Sequence, residues 1–554
     1  DSPENNFPTW NPIAPDPTYG ITTFSEGNLK SLNSPANNKY SEITFRLDQT
    51  NKYYFEYYNI TTTGALQPAS FELFASSSNK ASFYITTSGY IYVDGSLIGS
   101  GFPTLSAGDI VNIAFDGASG KVWFGKNGTY YNASGSATGN PADGTNPIAT
   151  VTPAEFKMTS TFYQQGAIMN FGQDSTFAGG TTAGGNTDDN GIGDFKYSVP
   201  SGYLALCASN LPEPTISPNA DEQADDYFNT VLYTGNATDN RAITGVGFQP
   251  EFVWLKARSS AQSHELYDVV RGATKRLRSD LTEAEANAVN NLQAFESDGF
   301  EIGDATSING SGNTMVAWNW KAGGTAVSNT DGSITSSVSA NTDAGFSIVS
   351  YTGTGANATV GHKLGKKPKI IIVKNRDDSS NWAVFSEEAG NGYWLLLNES
   401  FAKQGTTTMW NSTSPTSTVF SVGSANESNG SGDNLIAYCF AEIDGYSKFG
   451  SYTGNGSTDG TFVYTGFRPA FIIVKTTSGA NWETFDTTRS PSNVIGIRLF
   501  PSLSNAENTG EPNCFDILSN GFKARGSYAG SNISGEVHIY MAFAENPFKY
   551  ANAR

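Results

Sequence analysis

Cysteine and histidine are scarce in this chain, three of each among 554 residues. Cys207, Cys439 and Cys514 are widely separated and odd in number, so no disulfide framework is expected, and no Cys/His pair has zinc-ligand spacing. Cys439 stands in the apolar run Leu435-Ile436-Ala437-Tyr438-Cys439-Phe440, where a thiol serves as a small hydrophobe. His264, His362 and His538 fall at three unrelated places and cannot share one acid–base role. Charge is sparse too, at 15% of residues, and 33 Lys and Arg face 52 Asp and Glu. A net charge of −19 argues against a broad nucleic-acid surface, which needs a basic face. No apolar stretch approaches the roughly 20 residues a membrane-spanning helix needs. The chain opens at Asp1 with no signal-peptide pattern, read here as a cut or as numbering from within a longer precursor.

What is abundant is Gly (59), Phe (35) and Tyr (26), with much Asn, Ser and Thr. Gly and Asn suit tight turns, and aromatic and β-branched residues suit half-buried strands, so the composition predicts an all-β protein with many loops. The length exceeds what one hydrophobic core serves and predicts three to five domains.

One frame occurs three times: Tyr233-Thr234-Gly235 to Pro250, Tyr351-Thr352-Gly353 to Pro368, and Tyr452-Thr453-Gly454 to Pro469. Tyr and Pro are 17 apart in each (250−233, 368−351, 469−452), and Lys256, Lys374 and Lys475 each follow their Pro by six. The runs between, Phe252-Val253-Trp254-Leu255, Ile370-Ile371-Ile372-Val373 and Phe471-Ile472-Ile473-Val474, read as strands buried on both faces. Final strands present Trp318/Trp320, Tyr438/Phe440 and Met541/Phe543 at alternate positions. The organisation expected is a first unit at 1–212 with a polar tail, a linker at 213–226, and repeats at 227–324, 343–446 and 447–554. A second linker at 325–342 separates repeats 1 and 2. Each repeat, near 100 residues, is expected to fold on its own interior. Thr282 with Glu285 makes a capping box, and Ala284, Ala288 and Leu292 share a face, which predicts a short helix at about 283–293.

In the first unit, strands are expected at Tyr53–Tyr58, Phe83–Ile85 and Tyr90–Val93. A hairpin is expected from Gly108–Asp116 to Lys121–Phe124, with a turn at Lys126-Asn127-Gly128. The string Gly108-Asp109-Ile110, Phe115-Asp116, Val122-Trp123-Phe124, Lys126-Asn127-Gly128 and Asn170-Phe171-Gly172-Gln173 resembles the SPRY family, a bent (concanavalin-like) β-sandwich that binds partners through loops at one edge. The flanks Thr9-Trp10-Asn11-Pro12 and Ser201 to Cys207 resemble those of SPRY-like domains in bacteriophage virion proteins. The array is similar to a repeated module found beside such domains, especially in tail fibres, on Gly247-Phe248-Gln249-Pro250, Asp298-Gly299-Phe300 and Asn309-Gly310-Ser311-Gly312. The fold class expected is thus a chain of β-sandwiches, SPRY-like first and then three related repeats.

Catalytic motifs are not found: no Gly-x-Ser-x-Gly elbow, His-Glu-x-x-His or phosphate loop. The reading is that the chain is not an enzyme, with no cofactor, no metal and no catalytic residue called for; Asp188 to Asp194 lacks EF-hand spacing. Lys363, Lys366, Lys367 and Lys369 gather four cations in repeat 2 alone. They form either a solvated turn or a contact for an acidic subunit or an anionic polysaccharide. Trp382 and Trp482, matched by His264, read as core plugs, whereas Tyr393, Trp394 and Trp410 do not recur and are candidate sugar contacts. The resemblance implies a structural protein of a tailed phage particle, a tail fibre or appendage that contributes to attachment to a host-surface glycan or protein. Its expected partners are other virion proteins, a homotrimer follows by analogy with fibres, and neither nucleic acid nor membrane insertion is expected. A decoration protein of capsid or tail, and a secreted polysaccharide-degrading enzyme with binding modules, are the alternatives.

Overall fold

The computed structural model describes residues 6–11, 23–32, 39–60, 69–76, 79–85, 89–93, 96–154, 156–162, 166–211, 216, 222–510 and 513–546. The chain is all-β and built from separate antiparallel sheets. The chain divides into two compact units, with the division in the sequence between 213 and 214.

The first unit pairs a nine-stranded sheet with a six-stranded one. Between them Trp10, Phe45, Tyr53, Phe55, Phe115, Trp123, Phe156 and Tyr203 form one interior. The strands Lys52–Asn59, Asn79–Ile85 and Tyr90–Val93 lie where period-two alternation places them. Ile110–Asp116 pairs with Lys121–Lys126 as the expected hairpin. The next turn takes positive φ at Asn127 (50°) and Gly128 (86°), conformations that Asn and Gly tolerate best. The Gly- and Asp-rich stretch after 179, the polar tail of the first unit, is tied to the sandwich by Phe195, Tyr203 and Leu206, which are buried in it. Two buried carboxylates hold it. Glu56 accepts the backbone N–H groups of Lys196 and Tyr197, both at 2.9 Å. Asp188 accepts Asn190, Ile192 and Ala205 N–H and the Asn210 amide.

In the second unit every repeat repeats one topology. An opening strand, the closing strand, the strand after the proline and its partner lie side by side in that order. In repeat 1 these are Phe228–Thr234, Thr314–Trp320, Phe252–Ala257 and Glu265–Asp268. Phe346–Thr352, Asn434–Phe440, Ile370–Asn375 and Ala383–Ser386 do the same in repeat 2. Ser447–Thr453, Val537–Asn546, Arg468–Thr476 and Glu483–Asp486 do so in repeat 3. A smaller sheet, carrying Phe300, Phe420 or Phe522, covers one face of each.

The Tyr-Thr-Gly signature is a latch. The hydroxyls of Tyr233, Tyr351 and Tyr452 donate to the carbonyls of Ile308, Ser428 and Ser531 at 2.7, 2.7 and 2.6 Å. The following glycines sit against the same loop, where a Cβ would overlap the carbonyl oxygen of Gly310, Gly430 or Ile533. A buried Asn completes each latch: Asn309, Asn429 and Asn532 accept the N–H of Asn236, Thr354 and Asn455.

Three expectations are corrected here. The repeats do not each rest on a separate interior. The face of each main sheet away from its small sheet is also apolar, and those three faces meet in one core. Phe252 lies 4.4 Å from Tyr438, Trp318 lies 5.5 Å from Phe471, and Phe440 lies 6.0 Å from Phe543, so each repeat touches both others. The continuous apolar run after each proline needs two burials: one face fills its own sandwich, the other the shared core. The 325–342 linker instead forms strands Val327–Asn329 and Ser336–Asn341, which extend the repeat 2 sheet. No helix occupies 283–293, which holds strand Ala286–Asn287 and the start of Leu292–Glu296. The capping-box residues are engaged elsewhere: Glu285 pairs with Arg376, and the Thr282 carbonyl accepts Ser380 N–H. These tertiary bonds outweigh a short helix's weak intrinsic stability.

Candidate functional site

The lysine turn and the aromatic candidates of repeat 2 have different fates. Lys363, at φ 56°, and Lys366 are exposed. Lys367 pairs with Glu387, and Lys369 with Glu442 at 2.9 Å. Tyr393 is 41% exposed with the Lys403 ammonium 4.2 Å from its ring centre, and Phe401, which does not recur either, is 58% exposed. Trp394 is half-buried against the repeat 2 interior. Trp410 is a correction: it is 1% exposed, edge-on to Phe385, and cannot stack on a sugar. No hydrogen bond, ion pair or ring contact among the described residues joins the lysines to the aromatic group.

The recurring lysines are buried at the seams between repeats. Lys256 Nζ donates to the Ala257 carbonyl and, across to repeat 3, to that of Ser504 at 3.2 Å. Lys475 donates to Ala480 and, across to repeat 2, to the Ser400 carbonyl at 3.1 Å. Lys374 donates to the carbonyls of Asn375 and Asp378 and to Ser380 Oγ, whose own N–H binds Thr282 of repeat 1. Burial pulls all three lysines down to about 8, still charged at neutral pH.

The plug position obeys the same cycle. Trp382 Nε1 donates to the Arg278 carbonyl of repeat 1 at 2.8 Å, and Trp482 Nε1 to the Leu396 carbonyl of repeat 2 at 2.7 Å. His264 is 0% exposed and accepts Trp254 Nε1 at Nδ1 (2.9 Å), with the Phe500 backbone of repeat 3 beside it. Positions 278, 396 and 500 correspond, so repeat 1 leans on 3, repeat 3 on 2, and repeat 2 on 1. The array closes on itself. Burial and nearby cations hold His264 well below its ordinary range, and burial brings His362 and His538 to about 4. All three rings are neutral at pH 7.

Sequence reasoning missed the charged half of these seams. Arg271 bonds Asp268 (2.5 Å) and Glu285 (3.2 Å), Glu285 grips Arg376 with two bonds of 2.9 Å, and Tyr438 OH donates to Asp268 (2.7 Å). Arg489 bonds Asp486 (2.5 Å) and Glu507 (3.0 Å), Glu507 takes Arg258 (2.8 Å), and Trp318 Nε1 donates to Asp486 (3.0 Å). The signal was Asp-x-x-Arg at the same place in two copies, 268/271 and 486/489. Two cavities lie among the described residues of the repeats. A void of about 10 Å³ on the shared core, lined by Phe252, Trp320, Tyr438 and Met541, is water-sized. A cleft of about 350 Å³ opens between repeats 1 and 3, lined by Phe228, Asn229, Thr230, Arg468, Thr487 and Thr488 among others.

Residues 223–547 match the model of a family described as Domain of unknown function (DUF7483). The chain belongs to that family. The match takes in all three repeats at once, in keeping with a closed array rather than one repeat as the unit. A search of curated proteins gave no match.

Proposed function

We propose that this chain is a structural protein of a tailed bacteriophage particle, a tail fibre or appendage whose outer loops contribute to attachment to a host-surface glycan or protein. The observation that carries the reading is where the reactive side chains go. Lys256, Lys374, Lys475, His264, Arg271 and Arg489 are all buried and hold repeats together. Four groups found in one copy only, Lys363, Lys366, Tyr393 and Phe401, lie on the outside, while Trp410, also unique, is buried. A rigid support carrying variable surface suits an appendage, where several weak contacts multiply. The resemblance of the first unit to SPRY-like virion domains supports the same reading, as does that of the array to the tail-fibre module. The chain is then located on the virion, its partners are other virion proteins, and a homotrimer follows from the fibre analogy.

The test is adsorption. The purified, labelled chain should bind susceptible cells saturably and compete with infection by the particle that carries it. Lys363→Gln with Lys366→Gln should weaken binding if the receptor is anionic, and added salt should do the same. Failure to adsorb, with a copy number matching the capsid or tail lattice, would favour decoration instead. Release of oligosaccharide from envelope material would overturn the reading outright.

A further inference from the structure

Each opening strand bonds its closing strand on one side; among the described residues the other side is paired with a further strand in repeat 2 and not in repeats 1 and 3. In repeat 2, Ser336–Asn341 lies along it, with Asn341 opposite Phe346, Ser339 opposite Ile348 and Ser337 opposite Ser350. In repeat 3, side chains cap two groups of that side, Glu442 accepting Phe449 N–H at 2.8 Å and Thr461 donating to the Thr453 carbonyl at 2.7 Å, and among the described residues nothing bonds the N–H or carbonyl of Ser451. Repeat 1, like repeat 3, has no strand along this edge among the described residues. Lys321 N–H donates to the Tyr227 carbonyl, so 229, 231 and 233 bond inward, and Phe228, Thr230 and Leu232 point their N–H and carbonyl groups outward. Asn229 Oδ1 caps Thr230 N–H and Arg241 caps the Thr234 carbonyl. Among the described residues nothing bonds the N–H or carbonyl of Leu232, whose side chain is 36% exposed.

The cleft of about 350 Å³ lies beside the start of that strand, with Arg468, Thr487 and Thr488 of repeat 3 as its far wall. Arg468 is already paired with Glu545, and Asp225 lies at the rim, so the cleft selects for neither sign of charge. At the corresponding edge of repeat 2 the chain itself lays down Ser-Ser-Val-Ser-Ala-Asn.

We propose that the open edge of Phe228–Thr234, with the cleft beside it, is a docking groove for an extended polypeptide strand from a neighbouring protein, rich in small and hydroxyl side chains like Ser336–Asn341. Main-chain bonds to Leu232 and Thr230 would supply affinity, and the cleft would take up side chains from one face of the added strand, as in other strand-addition sites. The Asn229 amide must swing away for full pairing, which makes the groove a weak site when first met.

The experiment uses the full chain and a labelled synthetic peptide with the sequence of residues 334–342, against a scrambled control. Fluorescence anisotropy should show saturable binding of the peptide and not of the scramble. Leu232→Pro removes an outward N–H without touching the inward ladder and should weaken binding at least tenfold. Leu232→Ala should stay within twofold of the parent. Thr488→Trp fills the cleft from repeat 3 and should also weaken binding, which decides the matter if the proline variant melts early. Equal binding of peptide and scramble, no binding at millimolar peptide, or indifference to both blocking variants overturns the proposal. So does a neutral oligosaccharide that occupies the cleft in place of the peptide.

Discussion

At the seam between repeats 1 and 2, an ionic chain runs from the buried Asp268 and Arg271 to the partly buried Glu285 and Arg376, and Tyr438 closes its inner end. The seam between repeats 3 and 1 rebuilds that chain with Asp486, Arg489, Glu507 and Arg258. At the corresponding places of the seam between repeats 2 and 3 stand Ser386, Ala389, Lys403 and Thr477, with Met541 in the place of Tyr438. Yet the backbone crosses all three alike: Glu285 N–H to Arg376, Glu507 N–H to Arg258 and Lys403 N–H to Thr477, at 2.8, 2.8 and 2.9 Å. Closure is therefore carried by the lysines, the plugs and this main-chain bond, and the buried ions are one of two ways to fill the remaining space.

The sharpest break in that comparison is a transplant. Arg271→Ala alone strands the buried Asp268 carboxylate and takes one partner from Glu285, and should cost about 3–5 kcal/mol in denaturant unfolding. Replacing the whole set with its counterparts (Asp268→Ser, Arg271→Ala, Glu285→Lys, Arg376→Thr, Tyr438→Met) should recover most of that loss. If the fivefold variant is as unstable as Arg271→Ala, the two seam types are not interchangeable.

Acid should separate the seams next. Burial alone would raise Glu285 and Glu507, but their arginine partners, Arg376 and Arg271 for one, Arg258 and Arg489 for the other, hold both below the ordinary 4.5. A lowered carboxylate stabilises the fold above its unfolded value, and that contribution is lost as pH falls below about 4.5 through the folded value. His264 adds to the loss at the seam between repeats 3 and 1. It stays neutral when folded, so from about 6.5 downward only the unfolded chain takes up its proton. Hydrogen exchange at pH 3.5, corrected for intrinsic rate, should show Glu285 and Glu507 amides losing protection at least tenfold, with Lys403 unchanged. Equal loss at all three would sink the distinction.

The latches supply a control internal to each repeat. Gly235→Ala, Gly353→Ala and Gly454→Ala each push a Cβ into a carbonyl oxygen, and should each cost about 1–3 kcal/mol, alike whichever seam is near. A spread wider than that range would mean that latch and seam are coupled.

What the sequence disclosed follows the reach of each interaction. The Tyr-Thr-Gly frame, the proline and the lysine six residues on were legible because each copy must repeat them. The alternation of Trp318/Trp320, Tyr438/Phe440 and Met541/Phe543 showed one bulky face. It did not show that a neighbouring repeat covers that face, since apolar periodicity says only that something does. The continuous runs Phe252–Leu255 and Ile370–Val373 held the clue, two buried faces where a lone sandwich needs one. Thr282 and Glu285 misled for the opposite reason: a local capping signal and a partner 91 residues away use the same side chain. Trp410 failed as a sugar contact because non-recurrence marks a residue as special to one copy without saying whether it faces in or out.

The smallest expected effect concerns the partly exposed ion pairs of repeat 2, one of which reaches Lys448 at the start of repeat 3. Lys369 and Glu442 pair at 2.9 Å, Lys448 joins Glu442 at 3.5 Å, and Lys367 pairs with Glu387, all with side chains 15–38% exposed. Arg271 and Asp268, by contrast, are fully buried. Partly hydrated pairs are screened by salt and contribute at most about 1 kcal/mol, whereas buried ones barely respond. Lys369→Gln should thus shift unfolding by less than about 1 kcal/mol at low salt and by nothing measurable in molar salt, whereas the penalty of Arg271→Ala should be the same in both. If the Lys369→Gln effect persists undiminished in molar salt, that pair acts as an interior contact, and the division between buried and surface electrostatics at the seams fails.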